Sequence, residues 1–457
     1  MTQGDVGMGD SSEPRSSESG MTRREVVVTG GVGIAGLVIG GLGGYALAPK
    51  SSTSSTSSTQ TTAATQPLHI GGAYPLTGAL AGDGADGRHG AEMAISEINA
   101  DGGILGRKVV LDVVDLEDLS ADKVVSAFQS LINKKVSFMT MPYADAALAE
   151  FPVIAKSKIP FFHADTLYAA SELVAKDLAN NNNIFQIDPS ELPYGSGLVG
   201  YLTSLEQSGA WVPKKKTVAI IQTSNPYALN IAKSFKVEGA KAGWTVTLEE
   251  TINPPLAEWG PVLAKIRANP PDLIMNLDYY MADLASFTKQ FVASPTQSLL
   301  YEQYGPSVPA FLDLAKDAAN GVLWSTDIGL IPDAIGNAWK ARYQTMYNAA
   351  PGLSTAPGQY DAIMLYRTAV SVAGDPADFA KVNAQIANTI YRGVCGGYMF
   401  NPANLTVYSY PGTGQQQTED AGLGQPLLMF QIQNLKQVLV GPAPYTQGTF
   451  QKPPWLK

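Results

Sequence analysis

From residue 67 onward, short apolar runs alternate with amphipathic stretches. Residues 68–74, 108–114, 136–141 and 160–163 read as strands, and between them Val124, Val125, Phe128, Leu131 and Ile132 fall on one face of a predicted helix. A second series follows, with strand-like runs at 217–222, 244–250, 272–277 and 299–301 and helical patterns near 227–242, 257–269 and 280–292. The strand runs are continuously apolar, the pattern of parallel sheets covered on both faces. Two series of this length exceed one sheet, so the pattern predicts an α/β fold with two doubly wound parallel-sheet lobes. A short strand at 321–326 and long helices at 333–349, 359–372 and 379–391 come next. The chain closes on antiparallel strands at 397–401, 405–410 and 427–440, the last a hairpin turning at 434–436, which together form a small C-terminal β appendage.

The first 66 residues follow a different pattern. Residues 1–20 are polar, and Met21-Thr-Arg-Arg24 leads into a run from Val26 to Ala48 without a charged side chain. Paired arginines, an apolar stretch and Ala46-Leu-Ala48 are the pattern of a twin-arginine export signal. The 23-residue run also reaches the roughly 20 residues that cross a bilayer, so a cleaved signal and a retained membrane anchor both fit. Translation from Met1 and from Met21 both remain open. The run contains Gly31-x-Gly33-x-x-Gly36, a dinucleotide-binding spacing, but no acidic residue follows at the required distance and the apolar stretch continues instead. Residues 49–66 are a Ser/Thr-rich linker that cannot form a core.

Composition removes several classes of function. The chain has 457 residues, 45% of them hydrophobic, so it can bury large cores. A formal charge of −9 argues against a nucleic-acid partner, which clustered Lys and Arg would favour. One cysteine, Cys395, and three histidines leave no basis for a zinc site, an iron–sulfur cluster or His-based catalysis, and no metal or cofactor is expected. No nucleophile elbow is present, and Ser120-Ala-Asp-Lys123 reads as the start of an exposed helix. No catalytic residue is assigned and an enzyme is not expected. Asn404-Leu-Thr406 is a glycosylation sequon in a turn region.

Several motifs then carry a family resemblance. Gly72-Ala-Tyr-Pro-Leu-Thr-Gly78, Gly90-Ala-Glu-Met-Ala-Ile-Ser-Glu-Ile-Asn99 and Gly102-Gly-Ile-Leu-Gly-Arg107 succeed one another as a loop, a helix and a turn. Phe138-Met-Thr-Met-Pro-Tyr-Ala-Asp145, Ala155-Lys-Ser-Lys-Ile-Pro-Phe-Phe-His163, Asn225-Pro-Tyr-Ala228, Pro271-Asp-Leu-Ile-Met-Asn-Leu-Asp-Tyr-Tyr280 and Ala318-Ala-Asn-Gly-Val-Leu323 follow in order. This set resembles the branched-chain amino acid type (Leu/Ile/Val-binding-like) of ABC transporter solute-binding proteins, with the periplasmic-binding-protein type I, or venus-flytrap, fold. The resemblance implies three crossings between lobes, with lobe I at 67–188 and 327–393 and lobe II at 189–326 and 394–457. It implies an exported receptor, extracellular or periplasmic, that closes on a small-molecule solute, an amino acid or related compound. An ABC permease would be its membrane partner, the chain itself would touch the membrane only through its N-terminal segment, and it would act as a monomer. A sensory ligand-binding protein of the same fold is the alternative.

Ligands of such sheets bind where strand carboxyl ends lead into helices. Placing the family's loops on this chain implies contacts from Asp83, Tyr143, Ala144, Asp145, His163, Asp165 and Thr166 in lobe I, and from Tyr227, Asp278, Tyr279, Tyr280, Glu302 and Tyr304 in lobe II. Amino-acid binders of the family hold the α-carboxylate with lobe I hydroxyls and N–H groups and the α-ammonium with a lobe II acid. Thr166 and Tyr227 fit that pattern. Tyr143-Ala-Asp145 departs from it, as do Asp83 and Asp165. The acidic position falls on Tyr304 without a gap, or on Glu302 with a short one. The residues therefore describe an acid- and tyrosine-rich pocket suited to a cationic or polyhydroxylated solute. Asp145 and Asp165 also fit as helix N-caps, His163 fits as a structural histidine, and only one of Tyr279 and Tyr280 could face the cleft from an extended segment.

Overall fold

The computed structural model describes residues 66–144, 148–411 and 418–457. The predicted signal or anchor, nearly all of the linker, and Asp145 lie outside them. Among the described residues no helix is long and apolar enough to cross a membrane.

Two sheets repeat one topology. The first holds β1 (Leu68–Tyr74), β2 (Val109–Asp115), β3 (Met139–Met141), β4 (Phe161–His163) and β5 (Ile184–Gln186), all parallel, in the order β2-β1-β3-β4-β5. The second holds β6 (Thr217–Thr223), β7 (Thr245–Ile252), β8 (Leu273–Asn276), β9 (Leu299–Glu302) and β10 (Leu323–Thr326), parallel in the equivalent order β7-β6-β8-β9-β10. Central strands such as β8 (LIMN) are buried along their whole length, because helices cover both faces. Edge strand β7 (TVTLEETI) alternates exposed and half-buried positions up to a buried end, since one of its faces meets water. Continuous apolar runs thus mark the sheet centres and not the edges.

The chain ends more tightly woven into the sheets than a β appendage implies. Short pairs come first: β11 (Tyr391–Arg392) against β12 (Gly397–Tyr398), antiparallel, and β13 (Ser409–Tyr410) against β14 (Gln425–Pro426), parallel. The hairpin β15 (Leu428–Gln433) and β16 (Lys436–Gly441) then adds antiparallel to β10 and extends the second sheet to seven strands. Its turn holds Asn434 and Leu435 at φ 51° and 59°, the left-handed pair that matches strand twist in a two-residue hairpin. Trp324 of β10 stacks on Phe430 of β15 at 4.5 Å, welding hairpin to sheet. Val394, Cys395, Tyr398, Phe400, Leu405 and Val407, which the sequence reading assigns to lobe II, pack in the core of the first sheet. Thr406 there bridges to Gln186 at the end of β5, because that edge would otherwise be open. Asn404 sits in the turn just before, its side-chain oxygen accepting from the Thr406 N–H.

Helix Ala81–Ala100 packs along helix Thr355–Ala373, which carries the chain back to the first sheet. The two backbones touch at Gly90, where a Cβ would stand 1.9 Å from the Ala356 carbonyl oxygen. The sequence pattern places the start of the second helix at 359. It starts at Thr355, because Pro357 sits in the first turn, where its missing N–H has no helical partner to lose.

Candidate functional site

In each sheet the order 2-1-3-4-5 puts a crevice between the first and third strands, at their carboxyl ends. The two crevices face each other across one cavity of ≈ 490 Å³, within the range of about 300–1,000 Å³ usual for small-molecule sites. The first sheet contributes Pro142, Tyr143 and Ala144 after β3 and Ala164, Asp165, Thr166 and Leu167 after β4. The second contributes Thr223 to Tyr227 after β6, Tyr279 and Tyr280 after β8, and Tyr304 after β9. Leu80, Asp118 and Leu119 close one side, and Thr355, Gly358 and Gln359 form the back.

Of the sequence-predicted contacts, Tyr143, Ala144, Asp165, Thr166, Tyr227, Tyr279, Tyr280 and Tyr304 line the cavity. Asp83, His163, Asp278 and Glu302 do not; they lie buried behind it. Asp83 is the organising group of this second layer. Its Oδ2 accepts from the Tyr143 hydroxyl at 2.7 Å and the Tyr304 hydroxyl at 2.7 Å, and its Oδ1 accepts from Thr355 at 2.6 Å. Tyr304 follows the second sheet and Asp83 the first, so one of these bonds crosses the cleft. Burial raises the Asp83 carboxyl above its ordinary value, and the three hydroxyls pull it back down.

Asp165 is no helix cap. Helix Tyr168–Lys176 begins beyond it, and Asp165 Oδ1 instead accepts the Ala144 N–H at 2.7 Å. His163 Nδ1 stands 2.9 Å from Asp165 Oδ2, without hydrogen-bond alignment. His163 is fully buried between Phe151 and Phe161, which makes it part of the wall behind the site. The Thr166 hydroxyl donates to Asp188, a carboxyl that burial and the nearby Asp327 charge hold well above the usual range. Thr166 and Tyr304 sit at φ 55° and 57°, strained for side chains of their kind, one on each wall.

Glu302 reaches away from the cavity, accepting from the Thr288 hydroxyl at 2.7 Å, and of the two residues Tyr304 is the one that lines the cavity. Asp278 turns back to accept the Tyr280 N–H at 3.1 Å, and burial pushes its carboxyl up to about 7. That turn breaks the extended chain, so both tyrosines face the cavity, their rings stacked 5.1 Å apart at 29°. Tyr227 stands edge-on to Tyr279 at 5.9 Å and 89°, and Tyr194 edge-on to Tyr227 at 6.0 Å and 70°. Gln303 donates to the Tyr227 hydroxyl at 2.8 Å and holds that ring in place.

Tyr194, Asn225, Thr355 and Gln359 line the cavity without having been foreseen. Asn225 alone carried a signal, as the first residue of Asn225-Pro-Tyr-Ala228; it caps helix Pro226–Lys241 through the Tyr227 N–H. Among the described residues no Lys, Arg or His lines the cavity, and no group of His, Cys, Asp or Glu could hold a metal ion.

Comparison with known proteins places this architecture. A family model described as periplasmic binding protein matches residues 67–434. The Leu/Ile/Val-binding protein homolog 8 of Brucella suis is 28% identical over 53% of this chain and 57% of its own length; the match thus spans little more than half of that curated relative. The crystal structure of a putative branched-chain amino acid ABC transporter from Silicibacter pomeroyi is 34% identical, covers 85% of this chain and 100% of its own, and superposes with a TM-score of 0.78. An ABC transporter solute-binding protein from R. palustris, solved with benzoate, shares the fold at 19% identity and a TM-score of 0.66, covering 84% of this chain and 99% of its own. The chain belongs to the periplasmic binding protein family, among the solute-binding proteins of the branched-chain amino acid type.

Proposed function

We propose that the protein is the extracytoplasmic solute-binding receptor of an ABC importer. It captures a small polar solute, an amino acid or related compound, between its two lobes and presents the closed form to a membrane permease. The observation that carries this reading is the cavity lined from the carboxyl ends of both sheets, with the Tyr304 hydroxyl reaching across to Asp83. A solute touching both walls favours the closed arrangement by whatever contacts it loses on opening. In this reading the chain is exported, stays at the membrane or is released according to whether its N-terminal segment is retained or cleaved, and works as a monomer. The test is small-angle X-ray scattering of the purified full-length protein with and without a candidate solute. A bound solute is expected to shrink the radius of gyration and raise the melting temperature together. Binding that leaves the radius unchanged would refute the receptor mechanism.

A further inference from the structure

Resting on that receptor reading, we propose that the solute is a small alkylammonium cation without a carboxylate, and not a free α-amino acid. A ligand carboxylate needs a cationic side chain or several unspent N–H and O–H donors. The described lining offers no Lys, Arg or His. On the lobe I wall three donors are committed to the protein's own carboxyl groups: the Ala144 N–H to Asp165, the Thr166 hydroxyl to Asp188 and the Tyr143 hydroxyl to Asp83. The family resemblance puts an amino acid's carboxylate at these loops, where this chain has Asp165, its side chain buried against His163 and its Oδ1 on the Ala144 N–H.

The same arrangement suits a cation. Asp165 lines the cavity and Asp118 stands at its exposed side. Asp83, Asp188 and Asp278 lie immediately behind as buried carboxyls shifted toward the neutral form, so they add polar oxygens and not full charges; Asp165 has His163 2.9 Å away, and none of the five has a Lys or Arg partner within ion-pair distance among the described residues. Tyr143 gives its proton to Asp83, which leaves its oxygen as an acceptor, while the Tyr304 oxygen also meets the Thr355 hydroxyl at 2.7 Å. Tyr227 and Tyr279 meet at 89°, giving a corner of ring faces and edges opposite Tyr143. Rings at right angles surround a rounded cation, and a quaternary nitrogen asks for no hydrogen-bond acceptor when water is excluded.

Choline and glycine betaine share one trimethylammonium head and differ in a hydroxymethyl against a carboxylate, so they isolate the claim. Calorimetry on the full-length protein is expected to show choline and tetramethylammonium binding, with glycine betaine, leucine and benzoate at least tenfold weaker. Replacing Tyr280→Leu should weaken choline about five- to thirtyfold, while Tyr280→Phe keeps most of the affinity. Circular dichroism and melting temperature confirm that both variants fold. Equal or tighter binding of betaine, leucine or benzoate overturns the cation assignment, as does failure of both cations to bind or an equal loss in the two Tyr280 variants. The receptor reading is read separately by scattering. Closure on leucine would leave it standing while the ligand class falls, and cation binding without closure would do the reverse.

Discussion

Changing Tyr304→Phe removes one hydroxyl and keeps the ring. That hydroxyl donates to Asp83 Oδ2 at 2.7 Å and lies 2.7 Å from Thr355 Oγ1. Because Asp83 and Thr355 belong to the first lobe, the bonds exist only while the cleft is closed. Asp83 keeps Tyr143 and Thr355 as donors in the variant, so no buried carboxylate is orphaned. The cost is then that of the contacts the hydroxyl makes, dominated by the bond to the carboxyl group at about 1–3 kcal/mol. Tenfold per 1.4 kcal/mol makes this a drop of about five- to hundredfold in the closed-to-open ratio. Apparent affinity for any solute that binds the closed form falls by the same factor when the free protein is mostly open. Tyr143→Phe is the control, since it removes an equal bond to the same carboxylate within one lobe. Single-molecule energy transfer between labels on the two lobes reads the closed fraction directly. Loss of closure in Tyr304→Phe with little change in Tyr143→Phe is the expected result. Equal effects of the two variants, or none, would refute the reasoning.

Two further outcomes follow from the described structure. Gly90→Ala should destabilise the protein by about 1–3 kcal/mol, because the new methyl meets the Ala356 carbonyl and not a yielding side chain; denaturant melts within about 0.5 kcal/mol of the parent would contradict the close helix contact. Burial, the largest cause in each case, pushes the carboxyls of Asp278 and Glu191 up to about 7 and those of Asp86 and Asp361 up to about 6. The native state therefore holds protons that the unfolded chain releases, so this stability is full below the ordinary carboxylate range and is lost as pH rises through about 6 to 7. The melting temperature should fall by about 5 °C or more between about pH 5 and about pH 8, and a level or rising profile would count against these burials.

The two lobes were legible because their evidence is local. A central parallel strand is a short apolar run, and β1 and β6 begin at the residues where those runs begin. The loops after β3, β4 and β8 could be placed on the cavity because each directly follows its strand. What the pattern could not carry was contact between distant segments. Thr355 and Gln359 reach the cavity from a helix more than 200 residues from the partners they meet, Thr355 donating to Asp83 at 2.6 Å and Gln359 accepting from Thr140 of β3 at 3.0 Å. The pattern begins that helix at 359, four residues after its start at Thr355. The same limit misplaced Asp83 and Glu302, whose sequence positions beside the loops were right. Which way a carboxylate points is decided by the donors it finds, three hydroxyls for Asp83 and Thr288 for Glu302.

Closure and recognition are coupled through those hidden carboxylates. Asp83 holds Tyr143 within its own lobe and receives Tyr304 from the other, so only Tyr304 takes its place when the lobes meet. An open cleft would present half of the rings, each better hydrated and each worth less to a cation, since the attraction grows as water leaves. The solute's preference for the closed form then comes from assembly of the tyrosine walls and not from any one contact. A preference built this way has a recognisable signature. Removing a ring from either wall should weaken binding and closure together, whereas removing the Asp83–Tyr304 bond should weaken closure while leaving each wall's own surface unchanged.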